Sequence, residues 1–270
     1  MRNRWVLIVA LSLLLVVGLT GCGQKDEGVF RVGLEAAYAP FNWTQQDASN
    51  GAVKIDGSAE YAGGYDVEIA KRIAEALGKE LVIVKTEWTG LVPAVTSGKI
   101  DAIIAGMSPT AERQLSIDFS DSYYQSELVM VVKKGGAYEN ATSIQDFAGA
   151  KITAQLSTFH YDVIPQIEGV NMQTAMDDFT AMRVALESGV IDGYVSERPE
   201  GISAEAANEN FQMVELTTGF ETSPEDTLIA VGVAKNSPLI EQINEILADI
   251  SEEERLELMD NAISNQPAAE

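Results

Sequence analysis

The sequence predicts an α/β protein built as two doubly wound lobes, and three observations carry that prediction. Short apolar, branched runs alternate with stretches of helical apolar spacing, the alternation starts afresh after Tyr124, and roughly 240 residues follow an apolar N-terminal segment, enough for two ordinary domains. Phe30 to Leu34 reads as the first strand. Val67, Ile69, Ala70, Ile73, Ala74 and Leu77 recur at helical spacing, and Gly78 stops that helix. Leu81 to Lys85 is the next strand, Leu91 to Thr96 a short helix and Ile100 to Ala105 the third strand, while Gln45 to Gly63 reads as an enlarged loop. In the second set, Leu128 to Val132, Lys151 to Gln155 and Ile191 to Val195 are strands, with helical stretches near Phe159 to Ile167 and Phe179 to Ser188. Thr227 to Ala234 is a further strand, followed by amphipathic helices over Leu239 to Ile250 and Glu252 to Asn261.

The segment Ile100 to Tyr124, IDAIIAGMSPTAERQLSIDFSDSYY, carries the strongest chemical signal. After a buried-type strand, Gly106 frees the backbone to turn, Thr110 can cap a new helix, Glu112 adds a favourable charge to its first turn and Arg113 stands one turn in. Free backbone N–H groups at a helix start and a guanidinium fork suit a carboxylate. A first-turn arginine can equally be merely solvated. In doubly wound sheets ligands lie beyond the carboxyl ends of the strands, where Glu35, Trp88 and Ser108 to Arg113 fall.

AGMSPTAER followed by IDFSDSYY resembles the signature of the polar amino-acid-binding proteins that feed ABC importers, the family-3 extracellular solute receptors. LEAAYAPFNW (34–43), GYDVEIA (64–70), EWTGLVPAVTSG (87–98) and IDGYVSERPEG (191–201) agree with the family's landmarks in order and spacing, over nearly all of the chain after residue 28. The resemblance implies a type II periplasmic-binding-protein-like architecture, two lobes joined by a two-strand hinge. Residues 29–124 with 228–270 would then form lobe I and 125–227 lobe II, with crossings near Tyr124 to Ser126 and Asp226 to Val231. Binding would mean closure of both lobes around a free amino acid.

The resemblance also implies roles for single residues. Arg113 matches the arginine that pairs with the ligand α-carboxylate, Gly106 and Ser108 match the turn near the carboxylate and α-ammonium, and Thr110 supports that turn. Thr158 and the backbone N–H of Phe159 match a helix start that closes on the carboxylate from the second lobe, with Ser157 standing where glycine is common. Glu197 falls where an aspartate usually holds the α-ammonium, although it also reads as an exposed loop carboxylate. Tyr38 and Trp88 match aromatic positions flanking the ligand side chain, where either ring could instead be core. Glu35 beside this pocket would pair with a guanidinium, ammonium or imidazolium, or accept from a neutral amide, and Gln155 reaches the same region. A basic amino acid is therefore expected, with glutamine or another polar amino acid as the alternative.

Arg2 and Arg4 precede an apolar run, Trp5 to Val17, and then Leu19-Thr20-Gly21-Cys22, the layout of a secretory signal peptide. The run is too short to span a membrane. Leu-Thr-Gly-Cys resembles a bacterial lipobox, which implies a signal peptide over 1–21, lipid such as palmitate on Cys22, and a tether over 22–28 holding a monomer to the outside of the cell membrane. Cys22 is the single cysteine, so an intramolecular disulfide is impossible.

The formal charge of −23, with no basic run, argues against nucleic acid and suits a solubilising surface. One histidine, His160, and one cysteine leave no Cys/His metal set and no Ser-His-Asp or Cys-His constellation, and no GxxxxGK[ST] loop occurs. No cofactor is expected, His160 reads as a pocket-edge or surface residue, and ATP hydrolysis would belong to the ATPase partners of an ABC permease. Two other classes stay open: an enzyme resembling the cyclohexadienyl dehydratases, with Glu197 as acid, and a sensing lobe for a signalling partner.

Overall fold

A computed structural model describes residues 28–267, so the signal segment and Cys22 lie outside the described residues. The chain opens with β1 (Val29–Leu34), β2 (Ala37–Tyr38), β3 (Asn42–Gln45), β4 (Val53–Lys54) and β5 (Tyr61–Gly63). There follow α1 (Tyr65–Ala76), β6 (Glu80–Lys85), α2 (Leu91–Thr96), β7 (Ala102–Ile103), α3 (Ala111–Gln114) and β8 (Ile117–Gln125). The second half contributes β9 (Leu128–Lys133), β10 (Lys151–Thr153), α4 (Phe159–Asp162), β11 (Asn171–Met172), α5 (Phe179–Glu187), β12 (Gly193–Glu197), α6 (Arg198–Ala207) and β13 (Phe211–Val214). Last come β14 (Leu228–Ala234), α7 (Leu239–Ala248) and α8 (Glu252–Asn265).

Two five-stranded sheets result, ordered β6-β1-β7-β14-β8 and β11-β10-β12-β9-β13. In the first, β1 runs parallel to β6 and β7, and β14 lies antiparallel between β7 and β8; in the second, β10 runs parallel to β11 and β12 while β9 is antiparallel to β12 and β13. The parallel strands are continuous apolar runs because helices cover both faces, which buries Val32, Leu34, Ile83 and Ile103 completely. Asp66 and Glu68 place negative charge in the first turn of α1, and Gly78, at φ 65°, supplies the left-handed turn that ends it.

The two sheets are joined where β8 and β14 run side by side. Leu228 stands opposite Gln125 and the Ser126 N–H donates to the Thr227 carbonyl at 2.9 Å, immediately before β9 enters the second sheet. Helix α7 packs on β8 and α1, and α8 packs on α1 and α6. An apolar cluster runs from the first sheet across to Phe179, Met182 and Leu186 of α5 and Tyr194 of β12, so the lobes share apolar contact as well as a hinge.

Several elements differ from expectation. Strand β7 is two residues long rather than Ile100 to Ala105, because pairing with β1 stops at Ile103 and the chain turns at Gly106 (φ 60°). Gln45 to Gly63 is no plain loop: β2 to β5 form a four-stranded antiparallel sheet ordered β2-β3-β5-β4, and the buried Ile55 bridges to Ile83 of the first sheet. Helix α6 occupies RPEG and beyond, with Pro199 in its first turn, where the missing N–H donor is tolerated. Gly201 within it lets β13 approach, since a Cβ there would stand 2.7 Å from the Met213 side chain.

Candidate functional site

Every predicted site residue sits at or just beyond the carboxyl end of a parallel strand, or on the helix start that follows. Glu35 and Tyr38 follow β1, Trp88 follows β6, and Gly106 to Arg113 follow β7. From the second sheet, Gln155 to His160 follow β10, and Glu197 closes β12. The first group therefore faces the second across the lobe boundary, the crevice in which open α/β sheets bind ligands.

A cavity of about 10 Å³ lies there, lined from the first lobe by Tyr38, Trp88, Gly106, Ser108 and Arg113, and from the second by Gln155, Thr158, Phe159, His160 and Glu197. Two predicted residues are not on its wall. Thr110 caps α3, its hydroxyl oxygen accepting from the Arg113 N–H at 3.4 Å, so it holds the helix rather than a ligand. Glu35 is buried behind Gln155.

Arg113 is held in place by its own protein. Nη1 donates to the Ser108 carbonyl at 2.9 Å, Nη2 crosses the cleft to the Ser157 carbonyl at 3.1 Å, and the guanidinium lies 5.0 Å from the Trp88 ring centroid. Trp88 Nε1 donates to the same Ser157 carbonyl at 3.3 Å. Burial lowers the guanidinium to about 10, which leaves it charged at neutral pH. Ser157 adopts φ 58°, the left-handed conformation glycine would take, so the departure from glycine leaves the turn geometry in place at a cost in strain. The Thr158 hydroxyl donates to the Gln155 carbonyl at 2.7 Å, which ties the turn to the head of α4.

Glu35 faces one amide. Gln155 Nε2 donates to its two carboxyl oxygens at 3.2 and 3.0 Å and also to the Asp177 carbonyl at 3.1 Å. Among the described residues no cation forms an ion pair with Glu35. Burial pushes its carboxyl up to about 8, with Asp178, Glu87 and Asp66 adding repulsion that the Gln155 hydrogen bond only partly offsets.

Three residues at this cleft keep buried polar atoms without a hydrogen-bond partner: Tyr38 Oη, Glu197 Oε2 and both ring nitrogens of His160. Such orphans are costly, and they mark where ligand groups belong. His160 Nε2 lies 3.2 Å from Glu197 Oε1, with exposures of only 5 % and 2 % for the two residues. His160 is thus no surface residue, and Glu197 is no exposed loop carboxylate, because α6 continues directly from it and buries the corner.

Other residues escaped the sequence reading. Phe179, at the start of α5, stacks on Tyr38 across the cleft at 4.3 Å between centroids, and Tyr38 stacks on Phe41 at 4.8 Å. Asp66 is fully buried and accepts from Asn42 Nδ2 at 2.8 Å and Tyr123 Oη at 2.7 Å, while burial raises its carboxyl to about 6. Asn42 Oδ1 in turn accepts from the Ala36 N–H at 2.8 Å, and Tyr123 Oη from the Gly106 N–H at 3.3 Å, so Asp66 braces both turns of the first-lobe wall. Its place in GYDVEIA was the available signal, masked because an acidic residue in a first helical turn is ordinary.

Gly106 is required twice, by φ 60° and by a Cβ that would stand 2.6 Å from Tyr38 Cε1. Gly106→Ala is expected to cost roughly 1–2 kcal/mol of stability from the left-handed backbone alone and to weaken binding by displacing Tyr38, as read by denaturant unfolding and calorimetry.

Comparison with known proteins follows the same lines. The family model for bacterial extracellular solute-binding proteins, family 3, matches residues 30–262. The "Probable histidine-binding protein" of Campylobacter jejuni is 32% identical over 183 residues, 64% of this chain and 65% of its own length. The L-cystine-binding protein TcyJ of Escherichia coli K12 is 26% identical over 267 residues, 95% of this chain and 94% of its own. Among solved structures, AbpA from Streptococcus pneumoniae, an amino acid ABC transporter substrate-binding protein bound to L-arginine, superposes with a TM-score of 0.75 at 27% identity, over 89% of this chain and 96% of that one.

Proposed function

Since the chain belongs to family 3 of the bacterial extracellular solute-binding proteins, substrate-binding proteins rather than enzymes, we propose that it captures a free amino acid, preferentially a basic one, and delivers it to an ABC permease driven by separate ATPase subunits. One observation carries the reading: the same interlobe cavity holds a charged guanidinium, Arg113, and a carboxylate oxygen that lacks a partner, Glu197 Oε2. These are the complements of the two ends of an α-amino acid. Charge-assisted hydrogen bonds contribute roughly 1.5–3 kcal/mol each, and a micromolar complex needs only about −8 kcal/mol. The narrow cavity admits such a solute only when the lobes part and re-close, with residues 29–124 and 228–270 as one body and 125–227 as the other.

Glu35 supports the basic side chain. It is a buried carboxyl among other carboxylates, without an ion-pair partner among the described residues, and a guanidinium or ammonium would restore its charge. The N-terminal reading belongs to the same proposal: cleavage after residue 21, lipid on Cys22 and a tether to residue 28 would keep a monomeric receptor at the membrane. Among the described residues no helix is long and apolar enough to cross a membrane.

Thermal unfolding against the common amino acids, one at a time, tests ligand class, because a ligand at 100 times its dissociation constant adds about 2.7 kcal/mol. Arginine, lysine or histidine is expected to give the largest shift, and Glu35→Gln to move the preference to glutamine. A wild-type response to glutamine alone would recast Glu35 as an amide acceptor. The same variant has a pH signature. The Glu35 carboxyl rises from 4.5 to about 8 in the fold, so the folded state holds its proton more tightly and stability is lost as pH rises through that window. Glu35→Gln is therefore expected to raise the melting temperature at pH 8 more than at pH 4.5.

A further inference from the structure

The pairing of His160 with Glu197 adds something that capture of an amino acid does not by itself require. An α-ammonium has three N–H donors and asks for three acceptors. Glu197 Oε2, Tyr38 Oη and a bare ring nitrogen of His160 are buried, unpartnered and gathered at one cavity. In its neutral form the imidazole offers one acceptor. Once protonated it offers two donors and a positive charge, 3.2 Å from the carboxylate that the ammonium needs.

We propose that His160 is a contact residue for the α-ammonium group of the bound amino acid and, when protonated, its competitor for Glu197. This rests on the amino-acid-binding reading above and deepens it: the site releases amino acid as the medium acidifies.

The charged and titratable surroundings favour competition. Glu197 comes from the end of β12, Arg113 from α3 and Tyr38 from β2, all on the cavity wall with His160, while Asp162 stands on the imidazole's own helix. Tyr124 of β8 and Asp66 of α1 lie within electrostatic reach of Glu197. Phe159 packs against the imidazole at 4.3 Å between centroids and limits its exposure to solvent. Among these groups Glu197 makes the close contact with His160, and Arg113 is already committed to the Ser108 and Ser157 carbonyls. A protonated His160 therefore turns to Glu197. Binding an ammonium there expels the imidazole proton, so affinity falls with pH below the titration of the free protein, by up to tenfold per unit.

His160 is the single histidine of the chain, which makes the test direct. In the full chain without a histidine tag, the imidazole C–H resonances are followed by NMR from pH 5 to 8.5. In wild type, adding saturating L-arginine at pH 5.5 is expected to shift them to the neutral-imidazole position, and Glu197→Gln to lower the titration midpoint. Unmoved resonances on L-arginine binding, or equal midpoints in the two proteins, would overturn the proposal.

Calorimetry supplies the second arm. Glu35 also titrates here, so the quantity read is the ratio of L-arginine dissociation constants, wild type over His160→Gln. That ratio is expected to grow about tenfold from pH 7.5 to pH 5.5, since the variant keeps a hydrogen-bonding group and cannot be protonated. A ratio constant within twofold overturns the proposal. L-Glutamine carries the same α-ammonium, so a chain that binds glutamine and not arginine refutes the basic-ligand reading alone and leaves this test to be read with glutamine.

Discussion

Arg113→Ala is expected to weaken amino-acid binding by roughly 30-fold to several-thousand-fold, the equivalent of about 2–5 kcal/mol for truncating one partner of a buried charge pair. Nothing else among the residues on the cavity wall carries a fixed positive charge, since the other titratable groups there are Tyr38, His160 and Glu197. The ligand α-carboxylate would be left with backbone N–H groups and hydroxyls, beside the negative field of Glu197. The variant also loses two carbonyl contacts and the stack on Trp88, of which the Ser157 contact holds the lobes together. These are partly exposed contacts, so the fold should persist with a small change in melting temperature. Isothermal calorimetry with L-arginine and a melting curve without it separate the two effects. Affinity within tenfold of wild type would remove Arg113 from the carboxylate site and return the turn at Gly106 to a purely structural role.

The distinction between local and convergent signals explains what was legible in the sequence. Arg113, Thr110 and the Gly106 turn announce themselves within eight residues, because caps, turns and strand ends are written in contiguous chemistry. The long strands and helices were equally readable from their periodicity, since apolar spacing directly reflects which face is covered. Glu35 was placed at the correct strand end, but its partner was hidden: Gln155 lies 120 positions along the chain, and only the fold brings its amide to the carboxyl. His160 has no local mark at all. A histidine in a first helical turn looks the same whether it faces solvent or, as here, a carboxylate on the end of another strand. Phe179 shows in the sequence only as the first residue of a helical stretch, and what makes it special is Tyr38 opposite, on the other lobe. The small sheet over residues 37–63 was missed for a different reason. Its strands are two to four residues long and broken by Gly, Ser and Asp, too short for alternation to register.

Glu200→Ala is expected to cost about 3–5 kcal/mol of folding stability, because it strips one partner from a buried ion pair and leaves the other uncompensated. Glu200 is completely buried in α6. Arg183 of α5 donates to its Oε1 through Nε at 3.0 Å, with Nη2 2.9 Å away, Tyr194 Oη donates to the same oxygen at 3.0 Å, and Ser196 Oγ donates to Oε2 at 2.5 Å. Alanine takes the carboxylate away from two hydroxyls and from a guanidinium, which keeps only its Nη2 hydrogen bond to Ser203 Oγ at 2.9 Å. The consequence should reach the binding site through geometry rather than charge. Ser196 immediately precedes Glu197, and Arg183 lies one turn after Phe179, so the pair fixes both the strand end that aims Glu197 and the helix that carries the ring stacked on Tyr38. Denaturant unfolding should therefore show a large drop in midpoint, and L-arginine affinity should fall in the molecules that remain folded. The double replacement Arg183→Met with Glu200→Leu discriminates the cause. Apolar groups of similar volume remove both charges, so stability should return to near wild type if the uncompensated charge is the cost, while the binding defect persists if the pair also positions Glu197. A Glu200→Ala penalty below about 1 kcal/mol would show that water or a neighbouring residue compensates Arg183, and that the corner between β12 and α6 is held by packing alone.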